Sequence, residues 1–361
     1  MCRPRKSARA ASGSASNNLP VHDPHGPHET LRDSCYRAGG IRQRLVERGT
    51  GSRVVRCSLA LYLATGLLLA AWTIQPRASR AADEAKEKVP PPEELTLTTA
   101  DGVTIVATFY PSPSKLGRKT VPVVLLHSWK GNRGDFEALA LKLQRAGHAV
   151  IAPDLRGHGD SSRAAGRVGE LRTADFLAMV DEGGDLEAIK KFLITKNNAG
   201  ELNVESLCLV GVEMGAVVAV NWAARDWSWP PLATGSQGQF VKALALVSPE
   251  WSFKGLRIND ALAQPNVRRD LSVMIIAGKG NSKLLQEARR LHSAFEKFHP
   301  SPDTEAEELT RTLWLKTPQT SLQGARLLNE KTMRVDEMIL RFVELRLAKQ
   351  QIPWREVYRR E

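Results

Sequence analysis

Apolar and polar positions alternate around Asp101-Gly102, with Leu95–Thr99 on one side and Val103–Tyr110 on the other, the pattern of two half-buried strands joined by a tight turn. Downstream the spacing changes. Val121–Leu126, Ala149–Ala152, Leu207–Val210, Val241–Val247 and Leu271–Ala277 are short, nearly continuous apolar runs, as strands buried on both faces of a parallel sheet require. Leu309–Lys316 supplies an eighth strand. Between these runs, Asp135–Ala146, Thr173–Lys196, a small-residue stretch opening near Gly215, Asn281–His299 and Gly324–Leu347 repeat their apolar residues at helical spacing. The Gly183-Gly184 pair marks an interruption in the second of these helices. Strands alternating with helices predict an α/β fold, a mostly parallel eight-stranded sheet with helices on both faces.

The first ninety residues follow another pattern. Residues 1–52 are rich in Ser, Gly, Pro, Arg and His without periodicity and read as a disordered basic lead, in which His22, His25 and His28 are solvated. Arg53 and Arg56 then precede Cys57–Pro76, which has no charged side chain, and a small-residue stretch, Ala78–Ala82. This arrangement predicts a signal peptide or membrane anchor over 53–82, with 57–76 as the segment that could hold the chain to a membrane. Residues 83–94 are a charged, Pro-rich linker, and 95–361 form the folded domain. A fifty-residue lead ahead of an export segment is unusual, so the start at Met1 is read as too early; with no Met between Met1 and Met179, a later start would use a non-Met codon such as that of Val46 or Val54.

Charge narrows the function. The formal net charge is +12, yet the first eighty residues hold 13 Lys or Arg against 4 Asp or Glu, which leaves only +3 for the rest. A nucleic-acid partner for the domain therefore gains no support. Of four cysteines only Cys208 lies in the domain, within an apolar strand, and it reads as a small core residue. No Cys or His cluster has metal-ligand spacing, so neither a metal nor a cofactor is expected.

The chemistry should centre on Glu205–Asn221, an apolar strand, a sharp turn and a small-residue helix. The turn Gly211-Val212-Glu213-Met214-Gly215 has the frame of a nucleophile elbow, G-x-S-x-G, with Glu in place of Ser. Asp154-Leu155-Arg156-Gly157-His158-Gly159-Asp160-Ser161 follows another strand directly. With these two segments, Leu95–Leu347 resembles the α/β-hydrolase superfamily, in particular the serine-hydrolase branch with lysophospholipase-like and aminopeptidase-like members. The resemblance implies that fold without a large cap domain, since Ser248–Arg269 is too short to make one. It places Glu213 at the nucleophile position, Asn281 at the acid and Gln323 at the histidine, so all three triad roles are substituted. The oxyanion donors it implies are backbone amides at Ser128 or Trp129 and at Met214. The Asp154–Ser161 segment supports the rim, which makes Arg156 and His158 structural.

Asn and Gln cannot accept a proton at neutral pH. The expectation is an exported pseudo-hydrolase, a binding or scaffold module for a small molecule or a protein, with Glu213 filling its own oxyanion site. The alternative is an active hydrolase of ester or amide bonds using Glu213, as dehalogenases and epoxide hydrolases use an elbow Asp, or using a catalytic arrangement that the motifs do not locate. Trp129, Trp222, Trp227, Trp229 and Trp251 are expected towards one end of the sheet, in packing roles.

Overall fold

β1 (Glu93–Thr98) and β2 (Thr104–Tyr110) form an antiparallel pair joined through Asp101 and Gly102. Gly102 has φ +79°, a turn conformation that costs glycine nothing. After them come β3 (Pro122–Leu126), β4 (Ala149–Pro153), β5 (Leu207–Val212), β6 (Val241–Val247), a two-stranded ladder of β7 (Ser252–Phe253) with β8 (Leu256–Arg257), β9 (Ser272–Ile276) and β10 (Leu313–Lys316). In this computed structural model the main sheet runs β1-β2-β4-β3-β5-β6-β9-β10. β2 is antiparallel to both its neighbours, and every pairing from β4 to β10 is parallel. The structure describes residues 89–113, 115–164, 170–230, 236–299 and 309–357, all within one compact unit, Arg80–Glu361. The basic lead, the apolar segment 57–76 and the first half of the linker, 83–88, lie outside the described residues. Among the described residues no helix is long and apolar enough to cross a membrane.

The apolar runs are continuous because both faces of the sheet are covered. Val124 and Leu126 of β3 and Leu207 and Leu209 of β5 enter one core layer, whereas Val123, Leu125, Cys208 and Val210 enter the other. The helices are α1 (Glu137–Arg145), α2 (Gly159–Ala164), α3 (Thr173–Ala178), α4 (Asp185–Asn198), α5 (Met214–Ser228), α6 (Ile258–Ala261), α7 (Pro265–Arg269), α8 (Ser282–Glu296), α9 (Gly324–Asn329) and α10 (Val335–Arg346). α4, α5 and α8 bury residues in the first layer, and α1 and α10 in the second. Between β6 and β9 the chain makes only the small ladder, α6 and α7, and no large cap.

Two expected helices are divided. α3 and α4 separate at Gly183-Gly184, as the glycines suggested. Gly183 has φ +78°, and a Cβ on Gly184 would run into the Ala178 carbonyl. The stretch Gly324–Leu347 was expected as one helix but is two, α9 and α10, separated by a single 3-10 turn and by Arg334 in the left-handed region at φ 51°. Uniform apolar spacing hides a break at a residue other than Gly or Pro. The last strand is shorter than the apolar run implied, beginning at Leu313.

At the elbow, backbones meet closely. A Cβ on Gly215 would overlap the Leu126 carbonyl at the end of β3 and lie 2.7 Å from the His127 oxygen; one on Gly211 would lie 2.6 Å from Ala216 Cα. These obstacles are backbone and cannot rotate away. Gly215→Ala is therefore expected to lower stability in urea by about 1–3 kcal/mol or more, the range for overpacking. Gly102→Ala, with nothing within 4 Å of its Cβ, should cost only the positive-φ strain of about 1–2 kcal/mol. Equal unfolding midpoints for Gly215→Ala and wild type would contradict this account of the elbow.

Candidate active site at the elbow

Strand β5 ends at Val212, and the turn that feeds α5 puts Glu213 at φ 50°, ψ −110°. Such a backbone is costly for a residue with a Cβ, and it persists where the surroundings overdetermine it. Here the Glu213 N–H donates to the Val247 carbonyl of β6 at 2.9 Å, while the Glu213 carbonyl accepts from Ala216 at 3.0 Å to open the helix. The side chain is thereby lifted off the sheet, and it does not cap its own helix. Its carboxyl group rests on Gly324, where a Cβ would lie 2.6 Å from the carboxyl carbon. Burial pushes the Glu213 carboxyl up from its ordinary range, and the neighbouring Glu250 pushes it further. Glu250 is raised in turn by burial and by Glu287, against the opposing pull of Lys283.

A second strained residue stands one strand away. Ser248, directly after β6, has φ 49°, and its N–H donates to the Ile276 carbonyl of β9 at 2.7 Å. Its hydroxyl donates to Gln323 Oε1 at 2.8 Å and accepts the Gly324 N–H at 2.9 Å. Gln323 Oε1 also accepts the Gly278 N–H at 3.2 Å, while Gln323 Nε2 donates to the Gly278 carbonyl at 2.8 Å. Those two backbone contacts fix which way the amide points, since a carbonyl can only accept and an N–H can only donate.

Glu213, Gln323 and Gly324 are thus brought together, but Asn281 takes a different task. Its side chain accepts the Leu284 N–H at 3.1 Å and caps α8. The groups that meet Gln323 are Ser248 and the Gly278 backbone. Neither was singled out from the sequence, although Ser248 sits at a strand end next to Pro249 as an elbow-side residue would. Met214 opens α5, where the first-turn N–H groups have no intrahelical acceptor. Ser128 and Trp129 follow β3 as expected, and Gly215 packs against the Leu126 and His127 carbonyls, so the two segments that would supply oxyanion donors are adjacent.

Histidine is present near this rim in structural roles. His127 is fully buried; its Nδ1–H donates to the Ser128 carbonyl at 2.8 Å and its Nε2 accepts the Leu155 N–H at 3.0 Å. Both nitrogens are spent, and burial drives its pKa down to about 4. His158 donates from Nδ1 to the Arg156 carbonyl at 3.0 Å and packs between His127, at a tilt, and Trp129, edge to face. The rest of the Asp154–Ser161 segment is equally committed. Asp154 pairs with Arg133 and accepts the Asp160 N–H, Ser161 Oγ donates to the Asp154 carbonyl at 2.6 Å, and Arg156 is held by the buried Asp185 at 2.7 Å and by Asp101 at 2.8 Å.

The tryptophans do not gather at one end. Trp129 packs with Phe176 and Phe253 at the elbow end, but Trp227, at the far end of α5, donates to the carbonyl of Val241, the first residue of β6. α5 runs antiparallel to the strands, so its last turn lies at their starts.

Residues 123–355 match the model of the alpha/beta hydrolase family. A curated relative, an AB hydrolase superfamily protein of Bacillus subtilis, is 30% identical over 104 residues, and the chain spans about a third of that relative's length (32%). Among solved structures, a dienelactone hydrolase of Anabaena variabilis superposes with TM-score 0.51 at 15% identity, covering 72% of this chain and 99% of the other. An esterase of Pyrococcus furiosus gives TM-score 0.50 at 14% identity, covering 71% and 92%. At such identities the likeness is one of fold.

A carboxyl whose folded pKa is raised contributes stability in its protonated form, and that contribution is lost as pH rises through the folded value. Glu213→Gln keeps the shape and removes the charge. It should be more stable than wild type at pH 8, with the gap closing towards pH 4. Melting curves across that range check this; a gap that widened towards acid would mean Glu213 is held by a favourable partner as a carboxylate.

Proposed function

Since the chain belongs to the alpha/beta hydrolase family and carries Glu213 on its elbow, we propose that it is a member without serine-hydrolase chemistry, acting outside the cytoplasm as a binding or scaffold module. The observation that carries this reading is Gln323. A hydrolytic elbow needs a base within reach of its nucleophile. The side chain in the histidine place is an amide, tied to Ser248 and Gly278, and it can take no proton. Glu213 supports the same reading from the other side. A carboxylate at the opening of α5 occupies the neighbourhood where an oxyanion would be held and repels one.

Export rests on the pattern over residues 53–82, a basic flank, an uncharged run and a small-residue stretch. The second reading, hydrolysis with Glu213 as the nucleophile, draws on its place at the apex of the elbow; its raised pKa beside Glu250 opposes that role, which needs the carboxylate. It lacks a group to activate water for release of an ester intermediate.

Wild type is expected to hydrolyse short-chain aryl esters no faster than buffer, and Glu213→Ser alone should not change that, because the new serine has no base. The geometry also says where activity could be rebuilt. Glu213→Ser with Gln323→His and Ser248→Asp should yield measurable turnover, whereas the same set with Asn281→Asp in place of Ser248→Asp should not, since Asn281 faces the start of α8. Wild-type hydrolysis abolished by Glu213→Ala would overturn the non-catalytic reading. Mass spectrometry of the native protein tests export, which would fail on a cytoplasmic chain still beginning at Met1.

A further inference from the structure

At the opposite end of the strands from Glu213 lies a cavity of about 480 Å3, lined by Val121 and Ser206, which come just ahead of β3 and β5. One wall is the 3-10 turn Gly117–Lys119, which carries Arg118 and Lys119; the other is the segment after α10 that includes Ile352 and Trp354. That second wall is not held by regular secondary structure. Three asparagines clamp it: Asn203 Nδ2 donates to the Ile352 carbonyl at 2.8 Å, Asn197 Nδ2 to the Arg355 carbonyl at 2.9 Å and Asn198 Nδ2 to the Val357 carbonyl at 2.8 Å. Asn198 Oδ1 accepts the Val357 N–H in return at 3.0 Å. All these bonds go to backbone, so they fix the path of the chain and leave the Trp354 side chain to face Arg118. The guanidinium lies 3.9 Å from the centre of the indole ring.

The polar groups around this cavity are unbalanced in one direction. No carboxylate lines it, and among the described residues neither Arg118 nor Lys119 enters an ion pair. The Trp354 indole N–H is buried without an acceptor, and the hydroxyl of Thr120, a fully buried residue between Lys119 and Val121, has no partner either. A buried donor left without a partner costs about 1–3 kcal/mol. Val121, Leu347 and Ile352 supply an apolar floor.

We propose that this cavity binds a small amphiphilic anion, with a carboxylate or phosphate head against Arg118 and Lys119 and an apolar body on Val121, Leu347 and Ile352. The site is separate from the elbow and stands whether or not Glu213 is catalytic. Planar guanidinium held on an aromatic face keeps its N–H edges free for such a head group.

Calorimetric titration of the full chain with octanoate, octyl phosphate, octylamine and octanol, each kept below the concentration at which it aggregates, tests the proposal. At least one of the two anions should bind, about tenfold or more tighter than the amine and the alcohol, the worth of a charge-assisted hydrogen bond. Binding of octanoate alone identifies a carboxylate site, and binding of octyl phosphate alone a phosphate-ester site. Arg118→Met with Lys119→Met should weaken the anion by about tenfold or more at an unchanged circular dichroism spectrum. Ile352→Trp, which fills the floor and keeps both cations, should block it as well. The proposal falls if neither anion binds, if the amine or alcohol binds as tightly, or if both folded variants bind as wild type does.

Discussion

Everything at the candidate site depends on how closely α5 approaches the ends of β3 and β5. Gly215 lies against the Leu126 and His127 carbonyls and Gly211 against the first turn of the helix, so the turn between them has no room to relax. Glu213 takes up the difference at φ 50°. The strain is a property of the packing and indifferent to the side chain at its apex. This explains how a nucleophile elbow can keep its shape with a residue that performs no serine chemistry: the glycines answer to the sheet, and the apex answers only to the space above it.

What fills that space is a set of interlocked substitutions. Gln323 has the length and the donor and acceptor needed to bridge Ser248 and Gly278. Gly324, with φ +58° and no side chain, leaves room for the Glu213 carboxyl. Each position suits its neighbours as they are, so changing one disturbs the others. The penalty in the arrangement is burial of charge: the half-buried carboxyls of Glu213 and Glu250 are each shifted towards the neutral form, first by desolvation and then by a neighbouring carboxylate, Glu250 for the one and Glu287 for the other.

The sheet was legible because burial on two faces writes itself into a strand as an unbroken apolar run, as in β3, β4, β5, β6 and β9, while β1 and β2 showed the alternation of a half-buried pair, and the elbow glycines marked their turn. That Glu213 and the Gln323-Gly324 pair come close together was legible, because both follow recognisable strand ends. The site was not legible at Ser248 or Gly278. The first is a serine among many, and its role comes from a strained backbone that sequence does not display. The second acts through backbone groups that every residue possesses. Asn281 was ambiguous for a related reason, since an Asn ahead of a helix serves equally as a cap, the role it takes here. Arg334 divided a helix through a left-handed conformation for which apolar spacing carries no signal.

Cys208 has a consequence of another kind. It sits near the start of the central strand β5, paired with β3 on one side and β6 on the other, fully buried, with its thiol held in the protonated form by burial. A thiol in that state is inert until the central strand leaves its neighbours. The rate at which a disulfide reagent modifies it is therefore a clock for the opening of the strand that carries Glu213, and under fast reclosing it converts to the free energy of that opening. The chain thus contains its own probe of how firmly the elbow is anchored, at a position where no label need be introduced and no contact disturbed.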